Sequence, residues 1–279
     1  MARWKLAYHA NCWGPLGGDA VGVTSITRLA YRTFGDMEKA AREIAEAGYE
    51  GIEFFDGNVV DGEGDGYAAM RRVLDRSGLR LVALYSGCNF IFADILPEEL
   101  ARVTRAAAAA EALGAEHLVV GGGARRFDGT RPGDYDALAA GLDEVMAIAQ
   151  AHGLAAHYHP HLSTIVETPD EVRTIFAKTG IGFCPDTAHL AAAGGDVAAM
   201  VREHAARISY VHLKGWQREP FAFTPVGLGD CDNGAVIRAL RDVGYEGWIC
   251  NELDSWPDPA GAARQSRAFV EVEAMKTDP

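Results

Sequence analysis

The sequence predicts a (β/α)8 TIM barrel that forms one domain. Eight short runs rich in β-branched and aromatic residues alternate with eight segments rich in alanine and charged residues. Repeated strand–helix units imply parallel strands joined by helical crossovers, and eight units suggest closure into a barrel. No Pro- or Ser-rich linker divides the chain, so we expect a single domain over residues 1–279.

The predicted strands are short and recur along the whole chain. They cover residues 5–10, 51–55, 80–86, 117–122, 155–159, 180–186, 208–214 and 247–253. The helical segments cover residues 34–48, 65–78, 97–114, 134–153, 168–180, 195–207, 232–244 and 259–275. Many of these segments begin after Asp, Thr or Pro and end at Gly, as helix capping favours. An open doubly wound sheet is the alternative, but no G-x-G-x-x-G motif opens the first unit.

Composition and charge exclude several classes of protein. The hydrophobic fraction of 48% is ordinary for a globular chain and can build a sizeable core. The formal net charge of −13 opposes binding to a phosphate backbone, which requires lysine and arginine to release counterions. We therefore expect a small, uncharged or weakly anionic substrate and no nucleic-acid partner.

Cysteine usage and hydropathy predict a cytoplasmic protein. The five cysteines are scattered and never form a C-x-x-C pair, which is typical of reduced thiols rather than a disulfide framework. The first residues, MARWKLAYHANCW, lack the continuous apolar core of a signal peptide. The longest apolar stretch, residues 105–120, is interrupted by Glu111 and Glu116, so we expect no membrane partner.

Unusual polar residues cluster at the predicted ends of the strands, where a barrel enzyme carries its chemistry. They are Glu53, His157, His159, Asp186, His189, His212, Lys214, Glu252 and Asp254. Four consecutive strand ends supply imidazole, carboxylate, imidazole and carboxylate. This mixture suits Mn²⁺, Co²⁺, Fe²⁺ or Zn²⁺, whereas an all-oxygen shell would suit Mg²⁺ or Ca²⁺.

The stretch HYHPHLST places His157, His159 and His161 at alternate positions. Alternate residues of a strand share a face, so the three imidazoles would point the same way. A lone histidine is usually a hydrogen-bonded structural group, but three on one face are difficult to satisfy in an apolar core. The pattern therefore favours metal or substrate contact at this strand end.

The other candidate ligands each have a structural alternative. Asp186 could instead cap a helix or turn, and His212 could be a buried histidine bonded to the backbone. Glu252 ends an apolar strand, where a carboxylate is costly unless a cation lies beside it. We favour a functional role for Asp186 and Glu252. The sequence around His212 does not decide between a metal ligand and a buried histidine bonded to the backbone.

Several side chains are weaker candidates for substrate contact. Trp13, Trp216 and Phe221 could stack on the C–H face of a sugar, or they could pack in the ordinary way. Glu53 could bind substrate or pair with a barrel arginine.

Lys214 and the glycine run at 121–123 each have a functional and a purely structural interpretation. Lys214 could act as an acid or base if desolvation lowers its pKa, although a solvated lysine is the default expectation. The run Gly121–Gly123 precedes Arg125 and Arg126 and could hold an anionic group. A glycine-rich turn followed by solvated arginines is the simpler interpretation, because the P-loop lysine pattern is missing.

The stretch DTAHLAAAGGDVAAMVREHAARISYVHLKGW (186–216) is similar to the xylose isomerase-like barrels of the sugar phosphate isomerase/epimerase superfamily. Further matches are AGYEGIEFF (47–55), HYHPHLSTIVETPDEV (157–172) and residues 226–254. The nearest branch is the inosose dehydratase-like proteins. The resemblance covers nearly the whole fold and is poorly specific for substrate.

This resemblance implies one divalent metal bound from strands 5 to 8. By position, Asp186, His212 and Glu252 match metal ligands. His189 matches a histidine that contacts the substrate or a metal ligand. We expect Mn²⁺ or Co²⁺, with Zn²⁺, Fe²⁺ and Mg²⁺ as alternatives.

Strand 5 departs from the pattern of the superfamily. Its epimerases and isomerases carry a glutamate there, paired with the strand-8 glutamate for proton exchange on opposite faces of the substrate. Here the aligned residue is His157, with His159 two positions on, and either could be the ligand. The Y-H-x-H pattern matches the dehydratase-like branch, and loss of the second carboxylate weakens a symmetric two-base mechanism.

The resemblance therefore implies a metal-dependent enzyme that acts on a keto-sugar or keto-inositol through an enolate. We favour a carbon–oxygen lyase of the dehydratase type, with sugar isomerisation or epimerisation as the alternative. The expected catalytic residues are Glu252 as ligand and base, with His159, His189 or Lys214 as acid. The expected substrate-binding residues are Trp13, Glu53, His161, His189 and Trp216.

Two hypotheses of other classes remain. An apurinic-site endonuclease family shares this barrel, but such nucleases need a multi-zinc cluster and a basic groove, which the charge of −13 opposes. A non-catalytic barrel subunit would carry a partner or small ligand without turnover. Barrels of this resemblance often self-associate, so a homo-oligomer is compatible with either class.

Overall fold

The computed structural model describes residues 4–18 and 31–276, and its central feature is a sheet of eight parallel strands. The strands are β1 (Lys5–His9), β2 (Gly51–Phe55), β3 (Arg80–Cys88), β4 (His117–Gly122), β5 (Ala155–Tyr158), β6 (Gly182–Phe183), β7 (Tyr210–Leu213) and β8 (Trp248–Asn251). Pairing runs without interruption from β6 through β5, β4, β3, β2, β1 and β8 to β7. A single parallel bridge between Asp186 and His212 joins β6 to β7 and nearly closes the barrel. The predicted (β/α)8 barrel is confirmed.

Nine α-helices surround the barrel in the described part of the chain. They are α1 (Met37–Glu46), α2 (Ala68–Ser77), α3 (Leu96–Ala112), α4 (Asp134–Ala151), α5 (Pro169–Phe176), α6 (Thr187–Ala192), α7 (Val197–Glu203), α8 (Asn233–Asp242) and α9 (Pro259–Met275). Eight of them coincide with the predicted helical segments, although α3 begins one residue before its segment, at Leu96. The exception is α6, which immediately follows Asp186 and was not predicted.

Side-chain caps fix where several helices begin. Asp36, Asp232 and Asp258 each accept a hydrogen bond from a backbone N–H in the first turn of α1, α8 and α9. Thr168 and Glu171 form a reciprocal capping box at the start of α5. These caps satisfy N–H groups that have no partner inside the helix, so the local sequence sets the helix starts.

Two short hairpins extend the loops at the C-terminal ends of the strands. Leu16–Gly18 pairs with Tyr31–Thr33 after β1, and Gly215–Gln217 pairs with Ala222–Thr224 after β7. Asn58 supports the first hairpin, because its side chain both accepts from the Thr33 N–H and donates to the Thr33 carbonyl. The hairpins were not predicted, and both lie on the face where the polar residues cluster.

The apolar core has an outer and an inner part. The larger cluster packs the outward face of the strands against the helices, and includes Tyr8, Ile52 and Leu118. A smaller cluster, which includes Tyr210 and Trp248, fills the barrel interior. Interior and outward-facing residues alternate along each strand, and each layer of the barrel interior takes its side chains from alternate strands.

The five cysteines are all free and buried, as expected of reduced thiols. Within the described residues, no helix combines the length and the apolar character that crossing a bilayer would require.

Candidate metal centre

Four polar side chains from four consecutive strand ends converge at the C-terminal mouth of the barrel. His159 follows β5, Asp186 follows β6, His212 lies in β7 and Glu252 follows β8. One potential ligand atom of each lies within 4.8 Å of the corresponding atoms of the other three. All four side chains are buried. The barrel therefore assembles a two-imidazole, two-carboxylate cluster from residues that are distant in sequence.

The facing atoms of this cluster have no hydrogen-bond partner within the described chain. These atoms are His159 Nε2, Asp186 Oδ2, His212 Nδ1 and Glu252 Oε2. His212 Nδ1 lies 2.5 Å from Glu252 Oε2, and His159 Nε2 lies 3.4 Å from Asp186 Oδ2, without the alignment of a hydrogen bond. Buried polar atoms left in this state are costly. Potential metal-ligand atoms that lie this close without aligned hydrogen bonds to one another fit a shared divalent cation.

Asp186 both caps a helix and faces the cluster. Its Oδ1 accepts hydrogen bonds from the backbone N–H groups of Ala188 and His189, which begins α6. Its Oδ2 is left to face His159. The two interpretations of this aspartate in the sequence are therefore compatible, because each uses a different oxygen.

Glu53 supports His212 from the side away from Glu252. Glu53 Oε2 lies 2.8 Å from His212 Nε2 and accepts a hydrogen bond of 2.7 Å from the Tyr210 hydroxyl. His9 Nε2 lies 3.9 Å from the other oxygen. The partners of Glu53 are His212, Tyr210 and His9 rather than an arginine, and its contact with a substrate stays a prediction.

The pair of Glu53 and His212 is strongly polarised. Burial alone would lower the pKa of His212, but the carboxylates of Glu53 and Glu252 raise it to about 10. Burial alone would raise the pKa of Glu53, but the charges of His212 and His9 bring it to about 2. Without a metal, the imidazole is therefore a cation between two carboxylates.

Lys214 lies wholly inside this network. Its Nζ is 2.8 Å from Glu252 Oε1, 3.3 Å from Asp186 Oδ2 and 3.4 Å from Asp254 Oδ2. The expectation of a solvated lysine is therefore wrong. Burial would lower the pKa of Lys214, but the three carboxylates outweigh it and raise the pKa above its ordinary value. Lys214 thus stays protonated and offsets part of the negative charge.

Two neighbouring histidines beside the cluster carry their hydrogen on the same ring nitrogen, Nδ1. His161 and His189 have ring centroids 3.7 Å apart. His161 Nδ1 lies 2.7 Å from the Leu162 carbonyl oxygen, which can only accept, so this nitrogen carries the hydrogen. His189 Nε2 lies 3.3 Å from Lys214 Nζ, which can only donate, so His189 carries its hydrogen on Nδ1. Burial lowers the pKa of both rings, which favours their neutral forms.

A pocket of about 300 Å³ opens beside the cluster. It is lined by Leu16, Tyr31, Arg32, Phe55, Tyr85, Gly122, His159, His161, Thr164, Glu252 and Asp254. The aromatic rings of Tyr31, Phe55 and Tyr85 contact one another at 5.5–5.8 Å between centroids. A small molecule in this pocket would contact both the cluster and an aromatic wall.

The structure separates His157 from His159. His157 pairs with Gly182 on the neighbouring strand, four residues before Asp186, so it lies deeper in the barrel than the cluster. Its Nε2 is 3.0 Å from His117 Nδ1. Of the two histidines that the sequence left open as metal ligands, His159 is the one that lies beside Asp186, and its binding of a metal stays a prediction.

The two predicted tryptophans lie outside the described pocket lining. Trp13 donates a 2.7 Å hydrogen bond from Nε1 to Glu43 and packs against Tyr8. Trp216 is buried in an apolar cluster with Ala188 and other residues of the α6 region. Both side chains have the packing contacts that were the alternative to a sugar-stacking role.

The glycine run after β4 forms a turn at the pocket. Gly122 and Gly123 adopt φ values of 131° and 90°, a region that side chains rarely occupy. Arg126 pairs with Asp134, and Arg125 lies 3.3 Å from Glu167. These arginines already have carboxylate partners, which agrees with the simpler interpretation of this segment.

Sequence reasoning missed the support provided by Asn11. The Asn11 amide donates hydrogen bonds to Glu252 Oε1 at 3.1 Å and to Asp254 Oδ1 at 3.2 Å. Asn11 follows the predicted end of β1. The rule that barrel enzymes carry their functional residues at the C-terminal ends of the strands could therefore also have identified it. Tyr85, in β3, looked like an ordinary strand aromatic, and nothing local marked it as part of the pocket.

Comparison with known proteins identifies the family. A family model described as "Xylose isomerase-like TIM barrel" matches residues 41–271. The rhizopine catabolism protein MocC of Rhizobium meliloti is 28% identical, and the match covers 80% of this chain and 76% of that protein. An inosose dehydratase of Geobacillus kaustophilus is 26% identical, with 84% of this chain and 86% of that protein covered. In several other inosose dehydratases, the chain spans about half of the relative's length.

The fold is also that of solved structures. An L-ribulose 3-epimerase superposes with a TM-score of 0.74 at 19% identity, covering 98% of this chain and 95% of the other. At this identity the likeness establishes the fold alone. Together with the family match over most of its length, it leads to one conclusion: the chain belongs to the xylose isomerase-like TIM barrel family.

Proposed function

We propose that this protein is a divalent-metal-dependent carbon–oxygen lyase that removes water from a keto-inositol or a related keto-sugar. The observation that carries the proposal is the set of four buried ligand atoms that face one another at the barrel mouth without aligned hydrogen bonds. Relatives named inosose dehydratase and structural neighbours named as sugar epimerases support a sugar-modifying enzyme.

The proposed ligands are His159, Asp186, His212 and Glu252, with Mn²⁺ or Co²⁺ favoured and Zn²⁺, Fe²⁺ and Mg²⁺ as alternatives. Such an ion, when bound, polarises a carbonyl or hydroxyl oxygen and stabilises the negative charge that develops on it. His157 is not included in this set, because its Nε2 faces His117 instead.

His161 is the proposed base. It lines the pocket, and with Nδ1–H directed at Leu162, its neutral ring carries a lone pair on Nε2. Glu252 is a poorer base than expected, because one oxygen faces the cluster and the other already accepts from Lys214 and Asn11. His161 would take the proton from the carbon next to the keto group.

His189 is the proposed proton donor, supported by Lys214. The His189 Nδ1–H has no partner among the described residues, and Lys214 donates to the opposite ring nitrogen. As the carbon–oxygen bond of the β-hydroxyl breaks, the departing oxygen would take the Nδ1 proton and leave as water, while His189 Nε2 takes a proton from Lys214, so that the ring stays neutral. The two adjacent rings then serve as base and acid from the same starting tautomer, His161 through the lone pair on Nε2 and His189 through its Nδ1–H.

The test is to incubate the purified protein, loaded with Mn²⁺, with 2-keto-myo-inositol and to follow loss of one water by mass spectrometry. We expect elimination that stops when the metal is chelated, and at least a hundredfold loss of rate in H161N, in line with removal of an acid–base group. The matched control is H152N, a surface histidine on the end of α4. An epimer formed without loss of water, or an unchanged substrate, would overturn the lyase proposal.

A further inference from the structure

The pocket beside the cluster has two chemically different sides. The rings of Tyr31, Phe55 and Tyr85 form an aromatic side. The carboxylates of Glu252 and Asp254 contribute a polar side. A ligand that uses both must present C–H surface to the rings and hydrogen-bond donors to the carboxylates. A ring-shaped polyol has both features.

Asp254 faces this pocket without belonging to the four-donor cluster. Its side chain is 31% exposed, whereas the four cluster residues are buried. The cluster already has a carboxylate from this segment in Glu252, two residues earlier. Asp254 is therefore a carboxylate available to the ligand itself.

Two buried donors hold the Asp254 carboxylate in place. Asn11 Nδ2 lies 3.2 Å from Oδ1, and Lys214 Nζ lies 3.4 Å from Oδ2. Asn11 and Lys214 are both fully buried and are themselves bound to Glu252. Each carboxylate oxygen can accept more than one hydrogen bond, so the carboxylate is fixed and still has capacity to accept from a ligand.

The charge of the described pocket lining disfavours an anionic ligand. Glu252 and Asp254 face it, and the arginine in this lining, Arg32, is ion-paired with Asp61 at 2.5 Å. Lys214 is buried behind the carboxylates and is not part of the lining. With the proposed divalent ion offsetting Glu252, a phosphate or carboxylate substituent near Asp254 would still meet a like charge, and the Arg32 Nη2 of the described lining is already engaged by Asp61, whereas hydroxyl groups can donate to Asp254.

We propose that Asp254 is a specificity-determining residue that accepts hydrogen bonds from hydroxyl groups of an uncharged polyol and discriminates against phosphorylated analogues. This inference rests on the proposed function, because it names the class of substrate that the same site takes. The aromatic side then covers the C–H face of the ring, and Asp254 fixes its orientation relative to His161.

The test uses the full chain loaded with Mn²⁺ and two unreactive probes, myo-inositol and myo-inositol 1-phosphate, with binding measured by calorimetry. We expect the wild type to bind the uncharged probe at least tenfold more tightly. D254N should weaken myo-inositol binding about ten- to a hundredfold, the range for loss of hydrogen bonds to a charged group. D254N should also reduce the ratio of the affinities for myo-inositol and myo-inositol 1-phosphate. The matched control D75N alters an exposed aspartate in α2, far from this lining, and should change neither value.

The proposal fails if the wild type prefers the phosphate, if it binds no myo-inositol, or if D254N binds myo-inositol as tightly as the wild type. Because Lys214 contacts Asp254, the Mn²⁺ affinity and the melting temperature of D254N are measured in parallel. D254E, which restores the carboxylate, should recover part of the lost affinity if the carboxylate itself binds the polyol. Binding without turnover separates the two hypotheses. Asp254-dependent binding in a protein that eliminates no water would refute only the lyase, and elimination with an unchanged KM in D254N would refute only the role of Asp254.

Discussion

Replacing Glu53 by glutamine tests whether the carboxylate behind His212 sets the properties of the metal centre. The substitution keeps the shape of the side chain and removes its charge. Glu53 is fully buried, and its Oε2 accepts from Tyr210 at 2.7 Å and faces His212 Nε2 at 2.8 Å. A carboxylate in this position orients a ligating imidazole and increases its basicity.

The expected magnitude follows from this one contact. A hydrogen bond to a charged group contributes about 1.5–3 kcal/mol, which corresponds to roughly 10- to 150-fold in a dissociation constant. Removal of such supporting partners typically weakens metal affinity by about 10- to 100-fold. We therefore expect E53Q to bind Mn²⁺ about 10- to 100-fold more weakly than the wild type.

The assay is Mn²⁺ titration of metal-free protein by calorimetry and by electron paramagnetic resonance. Y210F, which removes one hydrogen bond to Glu53 and keeps its charge, should lose less affinity than E53Q. E46Q makes the same chemical change at an exposed position in α1 and should leave the affinity unchanged. An E53Q protein that folds normally and binds Mn²⁺ within twofold of the wild type would refute the reasoning.

Three further predictions concern protonation, backbone strain and capping. Without metal, the pKa of His212 is raised to about 10, so this imidazole must lose a proton before it can bind a metal ion. Mn²⁺ binding at pH 8 should therefore release close to one proton, which calorimetry in buffers of different ionisation enthalpy measures. The affinity for Mn²⁺ should also increase as the pH rises toward 10. Binding without proton release would contradict this prediction. G122A should lower the free energy of unfolding by at least about 1–3 kcal/mol, since Gly122 has a φ of 131° and an added Cβ would lie 1.7 Å from the Cys88 carbonyl oxygen. Urea unfolding measures the change, and wild-type stability in G122A would show that the turn is not constrained. T168A should cost about 0.5–2 kcal/mol in the same unfolding experiment, because it removes the capping box of α5, and a neutral effect would mean that tertiary packing alone fixes that helix.

Local chemistry made most of the fold predictable. Strand and helix patterns depend on the spacing of apolar residues along a few turns, and caps such as Asp36 and Thr168 satisfy backbone groups within the same segment. The main error lies after β6, where the predicted strand 180–186 is reduced to Gly182–Phe183 and α6 follows. There the competing signal was the side chain of Asp186, which ends the extended segment by capping the next helix.

The site was harder to predict because its contacts join distant segments. The alternation of His157 and His159 correctly indicated a shared face, but the depth of each in the barrel depends on the register of β5 against β6. Lys214 looked like a surface lysine because the three carboxylates that surround it come from the segments that follow β6 and β8. No local pattern could assign Glu53 to His212, which lies 159 residues further along the chain.

The amino-acid sequence by itself determined the order of strands and helices, the barrel that they form and the residue types gathered at its mouth. These follow from short-range periodicity and capping, and from the rule that the carboxyl ends of parallel strands meet on one side. Only the tertiary structure decided which histidine joins Asp186, which nitrogen of His161 and His189 carries its proton, and why Lys214 stays charged. Each of these depends on burial and on charges brought within a few ångströms by strand register and barrel closure, and neither quantity is encoded within a single segment.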